Sequence, residues 1–388
     1  MTQKLFTLGP VEMFEYTRER PMGQLPYFRT EEFSGVCFEC AERLRRLAGA
    51  PEGAHVYLLT CSGTGAMEAV VGGCFSGKLG EKAVAGDGSQ PGKGSRFGDG
   101  SQPGDRLLVV DGGGFGHRFA GISEHHGIPY APAALAFGET LTPGMLEAAA
   151  GDGGGFTGLL VNLHETVTGQ LYDKDMLASF CRSHGLYFVC DAIGSFLADP
   201  LDFARDGVDA LIISSQKALA LPPGLAAVIM SDRLYRKIIE QDIRPFSMYF
   251  DFRDAEANAV RGQTPFTPAV GTVLALRERL ERLEAEGGAE AAIARTKALA
   301  EDFRARLGGL IEKGLLALPR HPLSNACTPI VFPGGGAAAA YQKLSKEYGV
   351  WLNPNGGALA DTMLRVGHLG DLTTDDNAML AGLLEGIL

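Results

Sequence analysis

Six short apolar runs between residues 55 and 230 constrain the fold of this chain more than any other feature. They read HVYLLT, RLLVVD, TGLLVNL, LYFVCD, DALIIS and LAAVIM, and none of them alternates between apolar and polar residues. Strands that are buried on both sides of a mostly parallel sheet have this pattern. The stretches between the runs, such as YDKDMLASFCRSHG, are long enough for crossover helices. The sequence therefore predicts a doubly wound α/β fold.

The pattern changes after Pro268, where leucines repeat at helical spacing until Gly287 and Gly288 interrupt the helix. The last hundred residues mix short apolar runs with helical stretches, which is typical of a small α+β unit. We predict an N-terminal arm over residues 1–20, a large α/β domain over 21–286, and a small C-terminal domain over 287–388.

The segment GDGSQPGKGSRFGDGSQPG, residues 86–104, contains GDGSQPG twice. Its glycine, serine and proline cannot bury enough apolar surface to offset the cost of ordering, so we expect a mobile surface excursion. A phosphate-binding role for these glycines is less favoured, because a phosphate loop normally leads from a strand into a helix. This segment leads into a strand instead.

Charge and composition exclude several function classes. The chain has 35 Lys and Arg against 46 Asp and Glu, a net charge of −11. Such an acidic chain is a poor candidate for unspecific binding to nucleic acid or to anionic membranes. No apolar run approaches the roughly 20 residues that span a bilayer, and the sequence begins without the apolar stretch of a signal peptide. We therefore expect a cytoplasmic protein with no membrane or nucleic-acid partner.

The seven cysteines do not predict a disulfide framework, because their number is odd and they are spread along a long chain. Cys37 and Cys40 form a C-x-x-C pair within FSGVCFECAERLRRL, which is typical of an amphipathic helix. No second pair with zinc-ligand spacing follows. We expect two packed helix thiols and no metal site.

The residues that follow each run are the best candidates for function, because ligands of open α/β sheets bind beyond the carboxyl ends of the strands. If the strands are parallel, these residues meet in one pocket. They are Ser62-Gly63-Thr64-Gly65, Gly112 to Arg118 with Phe115 among four glycines, His164 to Gly169, Asp191, and Gln216-Lys217.

Two of these groups suit a flat, phosphorylated ligand. Ser62-Gly63-Thr64 joins a strand to a helix, so free amide groups and the helix dipole can hold a phosphate there. Phe115 offers a flat stacking face among residues that permit close approach. Neither signal is specific alone, because small residues are common at such turns and Phe115 can be a packing residue.

Lys217 and Asp191 add reactive groups to the same pocket. A lysine after a buried strand loses solvation, which favours its neutral amine and allows a Schiff base. A carboxylate such as Asp191 at the end of an apolar strand needs a cationic or hydrogen-bonding partner. Taken singly, Lys217 can equally be a surface lysine and Asp191 a turn cap. Together with the other two groups they are what pyridoxal 5′-phosphate (PLP) requires.

The sequence resembles the class V group of fold-type I PLP-dependent aminotransferases. Within that group it is similar to alanine/serine–glyoxylate (or pyruvate) transaminases and to 2-aminoethylphosphonate–pyruvate transaminases. The resemblance implies a seven-stranded sheet in the large domain and a homodimer. The motifs that carry it are Leu8-Gly9-Pro10, SGTGAMEA, GGGFGHR, HETVTG, CDAIGSF, SSQKALALPPG, TPFTPAV and LRVGHLG.

The resemblance also assigns roles. It implies that Lys217 forms the Schiff base, that Asp191 partners the pyridine nitrogen, and that Phe115 stacks on the ring. Arg365 would clamp the substrate carboxylate, and the backbone around Gly9 would close that site. The remaining cofactor-binding residues that it implies are Ser62, Gly63, Thr64 and Gln216 at the phosphate, Thr166 near the ring hydroxyl, and Thr267 reaching the phosphate of the neighbouring subunit.

The implied reaction is ping-pong transamination through aldimines, from a small amino acid or aminophosphonate to glyoxylate or pyruvate. HETVTG favours the aminoethylphosphonate type and the SSQKALALPPG motif the alanine/serine–glyoxylate type, so the substrate stays open. Basic residues that could read an acidic substrate tail are Arg18, Arg20, Arg29, Arg244 and Arg261. His117 and His164 flank the expected pocket.

Two other functions remain as alternatives. A cysteine desulfurase or lyase shares this fold, but such enzymes typically carry a histidine before the lysine, where this chain has Gln216. Cys327, the thiol such an enzyme would need, begins an apolar run and is expected in the core. A non-enzymatic nucleotide-binding module that uses the glycine-rich loops is the second alternative.

Overall fold

The computed structural model describes residues 3–19, 23–77, 104–151 and 154–388. The predicted excursion at 86–104 lies outside these ranges except for Gly104. The strands of the described residues are β1 (Lys4–Leu5), β2 (His55–Leu59), β3 (Leu107–Asp111), β4 (Tyr130–Ala134), β5 (Gly158–Asn162), β6 (His164–Glu165), β7 (Gln170–Leu171), β8 (Tyr187–Asp191), β9 (Ala210–Ser214), β10 (Ala226–Met230), β11 (Cys327–Val331), β12 (Val350–Trp351), β13 (Asn353–Pro354) and β14 (Met363–Gly367).

Helices alternate with these strands along most of the chain. Two 3₁₀ turns, Met248–Phe250 and Gly357–Leu359, accompany them. The α-helices of the described residues are α1 (Glu15–Arg18), α2 (Glu31–Leu47), α3 (Gly63–Cys74), α4 (Gly114–His125), α5 (Pro143–Ala150), α6 (Lys174–His184), α7 (Asp232–Glu240), α8 (Phe252–Ala259), α9 (Val270–Ala285), α10 (Gly288–Arg306), α11 (Gly308–Glu312), α12 (Ala337–Glu347) and α13 (Thr374–Ile387). No described helix is long and apolar enough to cross a membrane.

A seven-stranded sheet forms the centre of the molecule, in the order β2-β10-β9-β8-β5-β3-β4. The strands from β9 to β4 pair in parallel, and β10 runs antiparallel to both of its neighbours. This architecture confirms the predicted α/β fold with a mostly parallel sheet.

Both faces of the sheet are buried, which explains why its strands lack alternation. Along β3, Leu108 and Val110 belong to one apolar core with residues of α2, α6 and α9. Leu107 and Val109 belong to the core on the opposite face, with residues of α3, α4, α7 and α8. Successive side chains of a strand point to opposite faces, so burial on both sides requires a continuous apolar run.

A third apolar core lies around the three-stranded antiparallel sheet β11-β14-β13 and helices α10, α12 and α13. Helix α9 ends at Ala285, and α10 begins after Gly287, whose φ of 103° lies in the left-handed region. The domain boundaries given above stay a prediction.

Two strands of the central sheet differ from what the runs alone indicated. β10, the run LAAVIM, is antiparallel because the short loop after β9 cannot hold the dozen or more residues of a parallel crossover. β4 was not among the six runs. It is an edge strand in which only Ala133 is buried and which contains Pro132, so its apolar signal is weak.

Candidate active site

The predicted site residues gather at one edge of the central sheet. Strands β2, β3, β5, β8 and β9 all point the same way, so the segments that follow them emerge together. The N-terminal arm reaches this edge as well. Its strand β1 pairs with β12, and the Leu8 amide donates to Asn353 Oδ1 at 2.5 Å.

Lys217 lies under the arm. Its Nζ donates to the Leu8 carbonyl at 2.6 Å, and the Val11 amide donates to the Gln216 carbonyl at 3.3 Å. Burial lowers the pKa of Lys217 to about 8, and the nearby charge of Asp191 opposes that shift. More of the amine is therefore neutral near physiological pH than in an ordinary lysine, which favours a nucleophilic role.

Asp191 ends β8 and is only 4% exposed. Its Oδ1 accepts the Ile193 amide at 2.8 Å, and Oδ2 has no partner within the described residues. Burial raises the pKa of Asp191 to about 7, while the Ile193 hydrogen bond and Lys217 act in the opposite direction. Asp191 and Lys217 thus influence each other electrostatically, and Asp191 is ready to ionise beside a cationic ligand.

Helix α3 directs its N-terminus to the same edge. The Ser62 hydroxyl caps it by accepting the Gly65 amide at 3.3 Å. The amides of Gly63 and Thr64 lie in the first turn of α3, where no carbonyl of the helix can accept them. They are therefore free to bind an anion. A Cβ at position 63 would lie 2.4 Å from Ile193 Cδ1, so a larger residue there would require Ile193 to move.

Phe115 in the first turn of α4 is connected to this N-terminus through Arg118. The guanidinium carbon of Arg118 lies 4.7 Å from the Phe115 ring centroid, and Arg118 Nη1 donates to Thr64 Oγ1 at 2.9 Å. Arg118 also lowers the pKa of Asp191. The sequence placed Arg118 in the candidate cluster but gave it no role, although its spacing of three from Phe115 on a helix was a usable signal.

Arg365 on β14 brings an unpaired cation to the site. Its Nη1 donates to the Thr166 carbonyl at 3.3 Å and its Nη2 to the Pro354 carbonyl at 2.8 Å. Nε is buried without a partner, and no carboxylate of the described residues forms an ion pair with Arg365. A partly buried guanidinium in this state is suited to an anionic ligand.

The other predicted residues are placed as follows. Gln216 Oε1 accepts the Ser214 hydroxyl at 2.5 Å, and the buried Thr166 hydroxyl donates to the His164 carbonyl at 3.5 Å. Thr267 is exposed to solvent and makes no contact with the groups above in this single chain.

The two predicted flanking histidines differ in environment. His117 has 84% of its side chain exposed. His164 is buried and its Nδ1 lies 3.3 Å from the Gly194 carbonyl. Burial, together with the charges of Lys217 and Arg365, lowers the pKa of His164 to about 3 despite the Gly194 hydrogen bond, so His164 is a neutral group beside the site.

Comparison with known proteins decides between the function classes. A sequence model of the family Aminotransferase class-V matches residues 157–368, which is more than half of the chain. The chain belongs to the class V aminotransferase family.

The similarity extends over nearly the whole chain. The chain is 28% identical over 386 residues to 2-aminoethylphosphonate–pyruvate transaminase of Vibrio vulnificus, and the match covers 98% of this chain and 96% of that one. The chain is 27% identical over 386 residues to L-aspartate–glyoxylate aminotransferase of Paracoccus denitrificans, and the match covers 98% of this chain and 89% of that one. The crystal structure of aspartate aminotransferase from Thermus thermophilus superposes with a TM-score of 0.82 at 26% identity, covering 99% and 98%.

Family membership confirms the predicted enzyme class, the fold type I architecture and PLP as the cofactor of this aminotransferase. The residues present fit that cofactor. The α3 N-terminus provides free amides for a phosphate, Asp191 Oδ2 is unpaired, and Arg365 Nε is a buried donor without an acceptor. The role of each individual residue remains a prediction.

The sequence likewise gave no role to Glu165, which is fully buried between β5 and α4. In the sequence it is one carboxylate within HETVTG, and its partners Phe115 and Gly116 lie about fifty residues earlier. Cys37 and Cys40, in contrast, lie where the helix pattern placed them, buried on α2. Burial raises the pKa of Cys37 to about 11, which keeps it a thiol.

Proposed function

We propose that this class V aminotransferase moves an amino group from a small amino acid or aminophosphonate to a short oxo acid such as glyoxylate or pyruvate. The observation that carries the proposal is the presence of Lys217, Asp191 and the unpaired Arg365 at one sheet edge. The names of the Vibrio vulnificus and Paracoccus denitrificans relatives support the two acceptors.

When bound, PLP supplies an aldehyde for covalent attachment and a ring that accepts an electron pair. Nζ of Lys217 would hold the cofactor and, when free, would move the proton at the donor's Cα. Asp191 would stabilise a positive charge on the ring nitrogen. Ser62, Gly63, Thr64 and Gln216 would hold the phosphate, Thr166 would bind on the side of the ring hydroxyl, and Phe115 would support the ring.

Arg365 would bind the carboxylate of the donor and then of the acceptor, because its planar guanidinium can donate two parallel hydrogen bonds. The backbone of Gly9 closes this side of the site above Lys217. Positioned proton transfer by Lys217 is worth about 10²–10⁴-fold in rate.

The candidates for a second anion-binding arginine are held elsewhere in the described residues. Arg18 pairs with Glu12 at 3.1 Å and Arg244 with Asp242 at 3.1 Å. Arg29 donates to Gln263 Oε1 at 3.1 Å and Arg261 to Asn258 Oδ1 at 2.6 Å. Arg20 lies outside the described residues. We propose donors with one anionic group, either a carboxylate or a phosphonate, because Arg365 is an arginine whose charge acts on Lys217.

We also propose a cytoplasmic homodimer in which Thr267 contributes to the partner's site. Phe246 is 92% exposed and Met248 is 76% exposed, and the neighbouring Tyr249 stacks on Phe266 at 4.8 Å. Exposed apolar side chains grouped in this way are typical of an interface. A second copy on this surface would bury them and bring Thr267 to an adjoining site.

The desulfurase alternative is less well supported. Cys327 is fully buried on β11, and burial raises its pKa to about 12, whereas a desulfurase needs an accessible thiolate.

A screen of half-reactions tests the proposed function. Alanine, serine, 2-aminoethylphosphonate, aspartate and cysteine are each added alone to the holoenzyme, and the visible absorbance of the bound cofactor is followed. We expect one of the monoanionic small amines to abolish the absorbance and glyoxylate or pyruvate to restore it. Release of sulfide from cysteine with no response to the other amines would refute transamination.

A further inference from the structure

Glu165 is the most completely hydrogen-bonded carboxylate beside the site, although none of the predicted roles includes it. The side chain is 0% exposed. Its Oε2 accepts the amides of Phe115 at 3.1 Å and Gly116 at 3.2 Å and Asn162 Nδ2 at 2.9 Å. Its Oε1 accepts the Val167 amide at 3.0 Å. One carboxylate therefore joins the end of β5, its own loop and the start of α4.

The start of α4 depends on this carboxylate for its cap. The N-cap residue of α4 is Gly113, which has no side chain to offer. Phe115 and Gly116 occupy the second and third helical positions, whose amides an N-cap side chain normally satisfies. Glu165 Oε2 takes the place of that side chain, and its charge lies where the helix dipole favours an anion.

The space beside Gly113 leaves no room for a capping side chain at that position. A Cβ on Gly113 would lie 2.5 Å from Glu165 Cδ and 2.8 Å from Oε1, so α4 cannot carry a capping side chain of its own while Glu165 is in place. Neighbouring helices are capped locally. Ser62 caps α3, Asp173 caps α6 and Ser231 caps α7 through their own side chains.

We propose that Glu165 is a positioning residue that fixes Phe115 relative to the loop carrying Thr166 and thereby sets the affinity for PLP. The inference rests on the proposed function in one respect, namely that Phe115 supports the cofactor ring. Both the stacking residue and the residue at the ring hydroxyl then belong to one hydrogen-bonded unit, with Glu165 at its centre.

Two substitutions distinguish the effect of losing the hydrogen-bond acceptors of Glu165 from the effect of losing its negative charge. In Glu165→Gln, the amide oxygen can still accept from Phe115 and Gly116, although the amide nitrogen then faces the Val167 amide. Glu165→Ala removes every acceptor. Asp173→Ala is the control, because it removes a carboxylate that caps a helix outside the site, with bonds of 2.9 and 3.1 Å to the amides of Asp175 and Met176.

The first readout is amide hydrogen exchange in the apoprotein, which does not depend on cofactor chemistry. We expect Glu165→Ala to accelerate exchange at Phe115 and Gly116 by about 10-fold or more, as the loss of a buried acceptor implies. Glu165→Gln should stay within about 3-fold of the wild type at these amides, and Asp173→Ala should affect only the start of α6.

The second readout is the dissociation constant of PLP, measured by titration of each folded apoprotein. We expect an increase of about 10-fold or more for Glu165→Ala, a much smaller one for Glu165→Gln and none for Asp173→Ala. Unchanged exchange and affinity in Glu165→Ala would overturn the proposal, as would equal losses of affinity in the Gln and Ala variants. If the wild type itself bound no PLP, the proposed function would fail while the exchange data still tested the cap.

Discussion

Gly9 and Lys217 are in direct contact. A Cβ on Gly9 would lie 2.7 Å from Lys217 Cδ and 2.9 Å from Nζ, and the φ of Gly9 is 141°. The adjacent Leu8 carbonyl accepts Nζ at 2.6 Å, so the arm both orients the lysine and limits the space around it. No side chain is compatible with this position of Lys217.

Gly9→Ala should therefore impair catalysis more than folding. The methyl group must displace either the arm or the lysine, and a misplacement of about 1 Å at a reacting group costs on the order of 10²-fold in rate. We expect kcat/KM to fall by about that factor. Gly185→Ala is the control, because Gly185 has a φ of 66° with no atom near its Cβ position, and its activity should equal that of the wild type. Equal activity in both variants would contradict the contact.

Asp191→Asn should lower the transamination rate and raise the stability of the folded apoprotein near neutral pH. The pKa of Asp191 is raised to about 7 in the folded apoprotein, so the folded state retains a proton that the unfolded chain releases near pH 4. The stability of the wild type therefore falls as pH rises from 4 to 7, while the asparagine variant lacks this term. We expect the variant to gain on the order of 2–4 kcal/mol relative to the wild type over that interval.

Denaturant unfolding of both apoproteins at several pH values measures this difference. Transamination by Asp191→Asn should fall by about 10²–10³-fold, as expected for the loss of one preorganised charge. A constant stability difference from pH 4 to pH 7 would show that Asp191 does not titrate as its burial indicates.

The fold was predictable because burial on both sides leaves a direct mark on the sequence. Val109 and Val110 belong to opposite cores, so neither position tolerates a polar residue. β4 and the direction of β10 escaped prediction for separate reasons. An edge strand such as β4 has little apolar signal, and strand direction depends on the length of the connection.

The location of a candidate residue was predictable only where the residue directly follows a strand. Asp191 and Lys217 follow apolar runs, so they could be placed at the carboxyl edge of the sheet without coordinates. Glu165 could not, because its partners Phe115 and Gly116 approach it only after β3 and β5 pair. The arginine candidates required coordinates as well, since no local pattern indicates that Arg18 pairs with Glu12.

Attachment of PLP to the apoprotein should depend on pH through Lys217. Burial lowers the lysine pKa to about 8, and only the neutral amine attacks an aldehyde. The attachment rate should rise with pH and level off above about pH 8, well before an ordinary lysine would deprotonate near 10.4. Because Asp191 holds the lysine pKa up, Asp191→Asn should shift the midpoint to lower pH. Stopped-flow absorbance measures both; a rate still rising at pH 10 would contradict the depressed pKa.

Arg365→Met should weaken substrate binding without weakening cofactor binding. It removes the unpaired guanidinium, and the loss of such a charge partner corresponds to about 10²–10³-fold in kcat/KM for donor and acceptor alike. Arg365→Lys should be intermediate, because an ammonium cannot donate two parallel hydrogen bonds. Arg306→Met serves as control, since Arg306 lies on the surface and pairs with Asp302 at 2.9 Å. A normal KM in Arg365→Met would exclude the carboxylate role.

Borohydride reduction of the holoenzyme, followed by peptide mapping, tests the central assignment most directly. Reduction makes the link between lysine and cofactor permanent, so the modified residue can be located by mass. The account predicts one phosphopyridoxyl group per chain, on Lys217, and none in Lys217→Ala. A stoichiometric label on any other lysine, or an unmodified Lys217 in a holoenzyme that transaminates, would contradict it.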